Sequence, residues 1–206
     1  MTDESSQIQD LILKARAGDE AAREQLFNCC RNYVNVVART QVESWMRRKV
    51  DASDLVQQTM LEAYQAFDQF EGDQEAEWLG WLRKILSHNT QDFIRRYRTA
   101  KRAANREVHL ESTRDDNNKP VDLQGDVGTP SQFLMKHEAQ IRVADAIAQL
   151  SPDHQEVIHL RNLQRLPFEE VAERMGRTRP AVQMLWFRAL KKLQEILGTD
   201  EDLSEP

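Results

Sequence analysis

Residues 168–192 read FEEVAERMGRTRPAVQMLWFRALKK, two helical patterns that meet at a glycine. In the first, FEEVAERM, the residues Val171, Ala172 and Met175 share one face. Pro167 suits a first helical turn, and Glu169 and Glu170 suit the positive end of the helix dipole. Gly176 supplies the left-handed residue that ends the helix. Thr178 then caps a second helix. Pro180 falls in its first turn, where a missing N–H costs nothing because those donors have no intrahelical partner. Val182, Leu185, Trp186, Ala189, Leu190, Leu193 and Leu197 give this helix an apolar face, while Arg179, Gln183, Phe187, Arg188 and Lys191 project away. Two helices joined by a tight glycine turn, the second basic outside, predict a helix-turn-helix. A plain helical hairpin shares the pattern and stays open at this point. In a helix-turn-helix the start of the second helix enters the major groove. Arg177, Arg179 and Gln183 are therefore candidates for base edges or flanking phosphates. Arg188, Lys191 and Lys192 are candidates for phosphates alone, which position a protein without reading sequence.

The same stretch is a charge anomaly. Residues 174–192 hold six cations and no acid, and residues 83–106 hold eight cations against the single acid Asp92. The whole chain has a formal net charge of -6, so everything outside these two stretches carries -19. Two basic segments in an acidic chain predict a polyanionic partner contacted at two places. Aromatics interleave with both: Trp78, Trp81, Phe93 and Tyr97 in one, Trp186 and Phe187 in the other. An aromatic facing outward beside cations can stack on an unpaired base.

Working outward, apolar spacings of three and four run through most of residues 7–98 and return from Phe133 to Leu197. Between them EVHLESTRDDNNKPVDLQGDVGTPSQ (107–132) is rich in Asp, Asn, Gly and Pro and reads as a flexible tether. The expected architecture is all-α: a helical domain over 1–103, a linker over 104–132, a helix-turn-helix domain over 133–198 and an acidic tail over 199–206. In the first domain a helix pair breaks at Gly18-Asp19. A later helix, capped by Asp51 or Ser53, buries Val56, Met60, Ala63, Tyr64 and Phe67. Another helix over about Glu77–Arg98 buries Trp78, Leu82, Ile85, Leu86, Phe93 and Tyr97.

Other chemistry is thinly represented. Cys29 and Cys30 are adjacent, poor geometry for a disulfide, and read as buried or half-buried helix residues. His154 and His159 are five apart and do not share a helix face as a metal pair would. No phosphate-binding glycine loop and no nucleophile–base set stands out, so no catalytic residue, metal or cofactor is expected. No apolar run approaches the roughly 18 to 20 residues a spanning helix needs. The acidic start MTDESSQIQD is unlike a signal peptide, so a cytoplasmic protein without membrane contact is expected.

Taken together, the chain resembles bacterial sigma factors of the extracytoplasmic-function (ECF) type. DASDLVQQTMLEAYQAFDQFEG (51–72) is similar to the segment that docks on the core RNA polymerase. The W-x-x-W-L-x-x-I run (78–85) and the basic helix after it resemble the part that melts and reads the minus-ten element. LSPDHQEVIHLRNLQRLPFEEVAERMGRTRPAVQMLWFRALKKLQ (150–194) resembles the domain that reads the minus-thirty-five element. The resemblance implies polymerase docking by Asp51, Asp54, Leu55, Gln57, Gln58 and Leu61. It implies minus-ten contacts by Arg83, Lys84, Asn89, Arg95, Arg96 and Arg98, and minus-thirty-five contacts by Arg177, Thr178, Arg179, Gln183, Phe187, Arg188 and Lys191. It implies core polymerase and promoter DNA as partners of a free monomer, and it allows an anti-sigma factor. One departure stands out: the loop Glu71–Glu77, where a flipped base would be held, carries Glu71, Asp73, Glu75 and Glu77.

Three alternatives remain at this stage. A stand-alone helix-turn-helix regulator would normally dimerise, and no dimerisation heptads are evident. A sigma mimic that binds no DNA would leave the two basic stretches unexplained. A nuclease would need a metal site, for which the acidic loop is the one place.

Overall fold

The computed structural model describes residues 3–41, 52–108 and 140–202, and these form helices and turns without a strand. Four helices build the first lobe: α1 (Asp3–Arg16), α2 (Glu20–Gln41), α3 (Ala52–Gln65) and α4 (Glu75–Val108). Four build the second: α5 (Gln140–Ala148), α6 (Pro152–Ile158), α7 (Phe168–Met175) and α8 (Arg179–Asp202).

One stop signal is used twice. Gly18 sits at φ +95°, its N–H donates to the Ala15 carbonyl, and the Asp19 N–H donates to the Lys14 carbonyl. Gly176 sits at φ +62°, its N–H donates to Glu173, and the Arg177 N–H donates to Ala172. Both are Schellman ends, in which a left-handed residue closes the last open carbonyls. Asp19 then caps α2 by accepting the Ala22 N–H at 3.0 Å. The break expected at Gly18-Asp19 and the turn expected at Gly176 are therefore both present.

The first lobe centres on Trp78, which is fully buried. Phe27, Phe67 and Phe70 meet its ring edge-on at 5.2, 5.8 and 5.2 Å, and Trp81 stacks on it. Its indole N–H donates to Cys30 Sγ at 3.1 Å, so even the polar handle is used. Burial pushes the Cys30 thiol up to about 12. Cys29 is half-buried and both cysteines are free.

The buried stripe of α3 is rotated from the expected one. Leu55, Val56, Thr59 and Ala63 are buried, whereas Tyr64 is exposed and donates its hydroxyl to Glu20. Thr59 is tolerated inside because its hydroxyl donates to the Leu55 carbonyl at 2.7 Å. Helix α4 runs to Val108, beyond the expected end near Arg98 and into the segment expected as linker. The rest of that segment and the cap residue Asp51 lie outside the described residues, as does the side chain of Tyr97.

In the second lobe, Val182, Ala189 and Leu193 of α8 pack beside Val171 and Ala172 of α7 and Val157 and Ile158 of α6. Trp186 meets Phe168 edge-on at 5.5 Å, and its N–H donates to Asn162 at 2.8 Å. A single π-turn, His159–Leu163, continues α6 and carries that asparagine.

The two lobes touch. Helix α2 packs on α5 and on the π-turn. Asn32 Nδ2 donates to Asp145 Oδ1 at 2.8 Å, and Arg39 pairs with Glu156 at 2.5 Å. Beside this seam lies a cavity of about 120 Å³ lined by Ile8, Cys29, Glu75, Ile141, Arg142 and Asp145. Partial burial raises the Asp145 carboxyl above its ordinary range, against the opposing hydrogen bond from Asn32.

Candidate nucleic-acid interface

The Gly176 turn places the start of α8 at the protein surface. Thr178, Arg179, Phe187, Arg188 and Lys191 are exposed along its outer face, and Gln183 is half-buried among them. Val182, Ala189 and Leu193 point inward, as the spacing predicts. The face also carries Met184, 53% exposed, which the sequence reading missed.

The arginines at the turn are held by neighbouring acids. Arg177 pairs with Asp153 at 2.5 Å and Arg179 with Glu169 at 3.0 Å, and all four side chains are at least 41% exposed. Arg174 pairs with Glu170 and also donates to Gln164. Solvent-exposed pairs of this kind contribute about 0–1 kcal/mol. They orient the guanidinium groups and yield easily to a phosphate, which Arg binds by its fork. Among the described residues no acid is salt-bridged to Arg188 or Lys191.

The second basic stretch lies on α4. Lys84, Arg95 and Arg96 are exposed and Arg83 is half-buried. Arg95 pairs with Asp92 at 3.0 Å. The Arg98 side chain lies outside the described residues. Asn89, expected among the DNA contacts, is instead buried at 8% and faces Thr59 Oγ1 at 3.4 Å. It joins α4 to α3.

On α3, Asp54, Gln57, Gln58 and Leu61 form an exposed strip, with Leu61 51% exposed. Leu55 departs from it: at 5% exposure it is a core residue. Asp51 lies outside the described residues.

The acidic loop before α4 has a structural explanation. The Glu77 carboxylate accepts the N–H groups of Asp73 and Gln74 at 3.1 and 3.2 Å, the return half of a capping box. Glu75 is buried, and Arg16 Nη1 clasps the carbonyls of Glu71 and Gly72, each at 3.1 Å. Among the described residues no group of three or more His, Cys, Asp or Glu is arranged to hold a metal ion.

Known proteins resemble this chain in both lobes. Residues 23–100 match the family profile described as Sigma-70 region 2, and residues 146–195 match Sigma-70, region 4. The chain belongs to the sigma-70 family. Its relatives include the RNA polymerase sigma factor CarQ of Myxococcus xanthus, 29% identical over 71% of this chain and 75% of that protein. The ECF RNA polymerase sigma-E factor of Haemophilus influenzae is 28% identical over 90% of this chain and 93% of its own length. The ECF sigma factor BldN of Streptomyces coelicolor is 26% identical, over 96% and 68%. Among solved structures, the RsbN–BldN complex is similar with a TM-score of 0.32 and 22% identity, over 90% of this chain and 98% of that one. The structure of CnrH with the cytosolic domain of CnrY gives 0.36 and 22%, over 94% and 99%. This member is of the ECF type, and its function is that of a sigma factor in transcription initiation. The α3 strip and the basic side of α4 fall in region 2; the α7–α8 helix-turn-helix falls in region 4.

Proposed function

We propose that this sigma factor divides its work among three surfaces. The exposed strip Asp54, Gln57, Gln58 and Leu61 docks on core RNA polymerase. Lys84, Arg95, Arg96 and the half-buried Arg83 engage the minus-ten region of promoter DNA. Arg177, Thr178, Arg179, Gln183, Phe187, Arg188 and Lys191 engage the minus-thirty-five element. The observation that carries this reading is the outer face of α8, which is cationic and solvent-exposed while the opposite face packs into the lobe.

Charge explains why a partner is needed. With -19 outside its two basic stretches, the chain approaches naked DNA against its own field. A polymerase that holds the chain beside DNA converts weak contacts into an intramolecular event. Strand opening then follows from capture of unstacked bases on basic and aromatic surface and requires no catalytic group of this chain. No helix among the described residues is long and apolar enough to cross a membrane, which fits action on DNA in the cytoplasm.

The test is a pair of titrations of labelled protein at near-physiological salt, one with core polymerase and one with duplex DNA. Tight polymerase binding with weak binding to free DNA is expected. Tight, sequence-specific DNA binding without affinity for polymerase would instead mean a stand-alone regulator.

A further inference from the structure

Five large apolar side chains are strongly exposed among the described residues: Leu13, Leu61, Tyr64, Met184 and Phe187. Two of them, Met184 and Phe187, at 53% and 61%, lie three residues apart on the outer face of α8. Their surroundings are cationic. Arg188 and Lys191 are exposed on the same face, each one turn beyond one of the pair, while Arg179 at the start of α8 is paired with Glu169.

An apolar pair flanked by cations suits a ligand that is anionic at its rim and apolar at a point within. The major groove of duplex DNA has that character. Phosphates line both edges, and the 5-methyl group of thymine is the apolar feature among the base edges. A folded protein partner that offered only an apolar knob would leave Arg188 and Lys191 uncompensated. The position also fits. At 1.5 Å rise per residue, Met184 and Phe187 lie about 8 and 12 Å along the helix from Arg179, on a scale that matches the roughly 12 Å wide groove. The thioether is flexible enough to follow a methyl group, and the phenyl ring offers a flat surface to a second.

We infer that Met184 and Phe187 are specificity-determining residues that read thymine methyl groups in the minus-thirty-five element. The chain would therefore favour promoters with thymine, on either strand, opposite the middle of α8. This rests on the assignment of α8 to that element. Excluding one methyl group from water predicts about a fourfold gain per thymine read.

The experiment uses the holoenzyme, this chain with core polymerase, to enrich bound duplexes from a randomised promoter-length library. The enriched duplex is then resynthesised with deoxyuridine replacing thymidine one position at a time, which removes only the methyl group. At one or two positions of the upstream element, wild-type holoenzyme should bind about fourfold more weakly. The variant M184A/F187A, altered only at exposed positions, should bind the thymine duplex more weakly and ignore the exchange. Indifference of the wild type at every position would overturn the inference, and so would discrimination that survives in the variant. A variant that loses polymerase affinity while keeping discrimination would show that the pair meets protein instead. Failure to enrich any upstream element would overturn the assignment of α8 itself, a separate outcome.

Discussion

Reversing the charge of Arg39 tests what holds the two lobes together. Arg39 on α2 and Glu156 on α6 are 117 residues apart in sequence and 2.5 Å apart in the fold. Their side chains are 28% and 33% exposed, so solvent screens the pair and its contribution is about 0.2–1 kcal/mol. Arg39→Glu removes that contribution and sets two carboxylates against each other. At about 4 Å the repulsion lies between ~1 kcal/mol in water and ~4 kcal/mol at an effective dielectric of 20. A total near 2 kcal/mol, toward the wetter limit, shifts the balance between packed and separated lobes by about 30-fold. Small-angle scattering of the free protein should show a larger radius of gyration for the variant, an effect that shrinks with added salt. The double variant Arg39→Glu with Glu156→Arg restores opposite charges and should return the compact curve. Superimposable curves for wild type and Arg39→Glu would refute the leverage assigned to the pair. A double variant as expanded as the single one would locate the cause elsewhere.

Three further outcomes are expected. Gly72→Ala should destabilise the first lobe by about 1–3 kcal/mol, the usual cost of overpacking, because a Cβ there would lie 2.6 Å from the Phe70 ring; an unchanged thermal midpoint would contradict the close packing of the loop. Asp145→Asn should stabilise the chain at neutral pH: the raised carboxyl pKa favours the packed state below the ordinary value of 3.8, and that contribution is lost as pH rises through the raised value. Denaturation midpoints should therefore favour the asparagine at pH 7 and converge with wild type in acid, and equal midpoints at pH 7 would count against a burial penalty. Leu61→Ala should weaken binding to core polymerase by about tenfold or more, the loss expected for one well-buried leucine, with no change in thermal stability; unchanged affinity would remove α3 from the docking surface.

Local signals account for what the sequence disclosed. The bounds of α7 are legible because a glycine that must be left-handed ends it and acids sit in its first turn. The same holds at Gly18, where the cap residue Asp19 follows at once. The rotated stripe of α3 was hidden because Thr59 is polar by type, yet its hydroxyl is satisfied within its own helix. Asn89 is expected at DNA through the family resemblance alone, and no local signal discloses its contact with Thr59 across α3 and α4. The acidic loop would have been intelligible had the helix start been placed at Glu75, since Glu77 then stands three residues past the cap position, where a carboxylate can return to the backbone. The lobe seam left no local trace, because Asn32 and Asp145 are joined only by the fold.

The seam bears on how such a chain reaches two promoter elements at once. The lobes pack, yet Arg179, Arg188, Lys191, Arg95 and Arg96 stay exposed. Separation, not concealment, is then what limits the packed form. The longest helix, α4, has 34 residues and so runs about 51 Å. Elements centred about 25 base pairs apart are roughly 85 Å apart on straight duplex. That exceeds the length of α4, so the packed arrangement suits one element at a time unless bending or melting of the DNA narrows the gap. The 31 residues from 109 to 139 extend to about 100 Å at most, enough to span it once α2 parts from α5. Under the proposed assignments, opening of the seam precedes engagement of the second element. Variants that loosen the Arg39–Glu156 pair should then speed promoter binding by holoenzyme assembled from free components and leave the affinity of the isolated helix-turn-helix face for DNA unchanged.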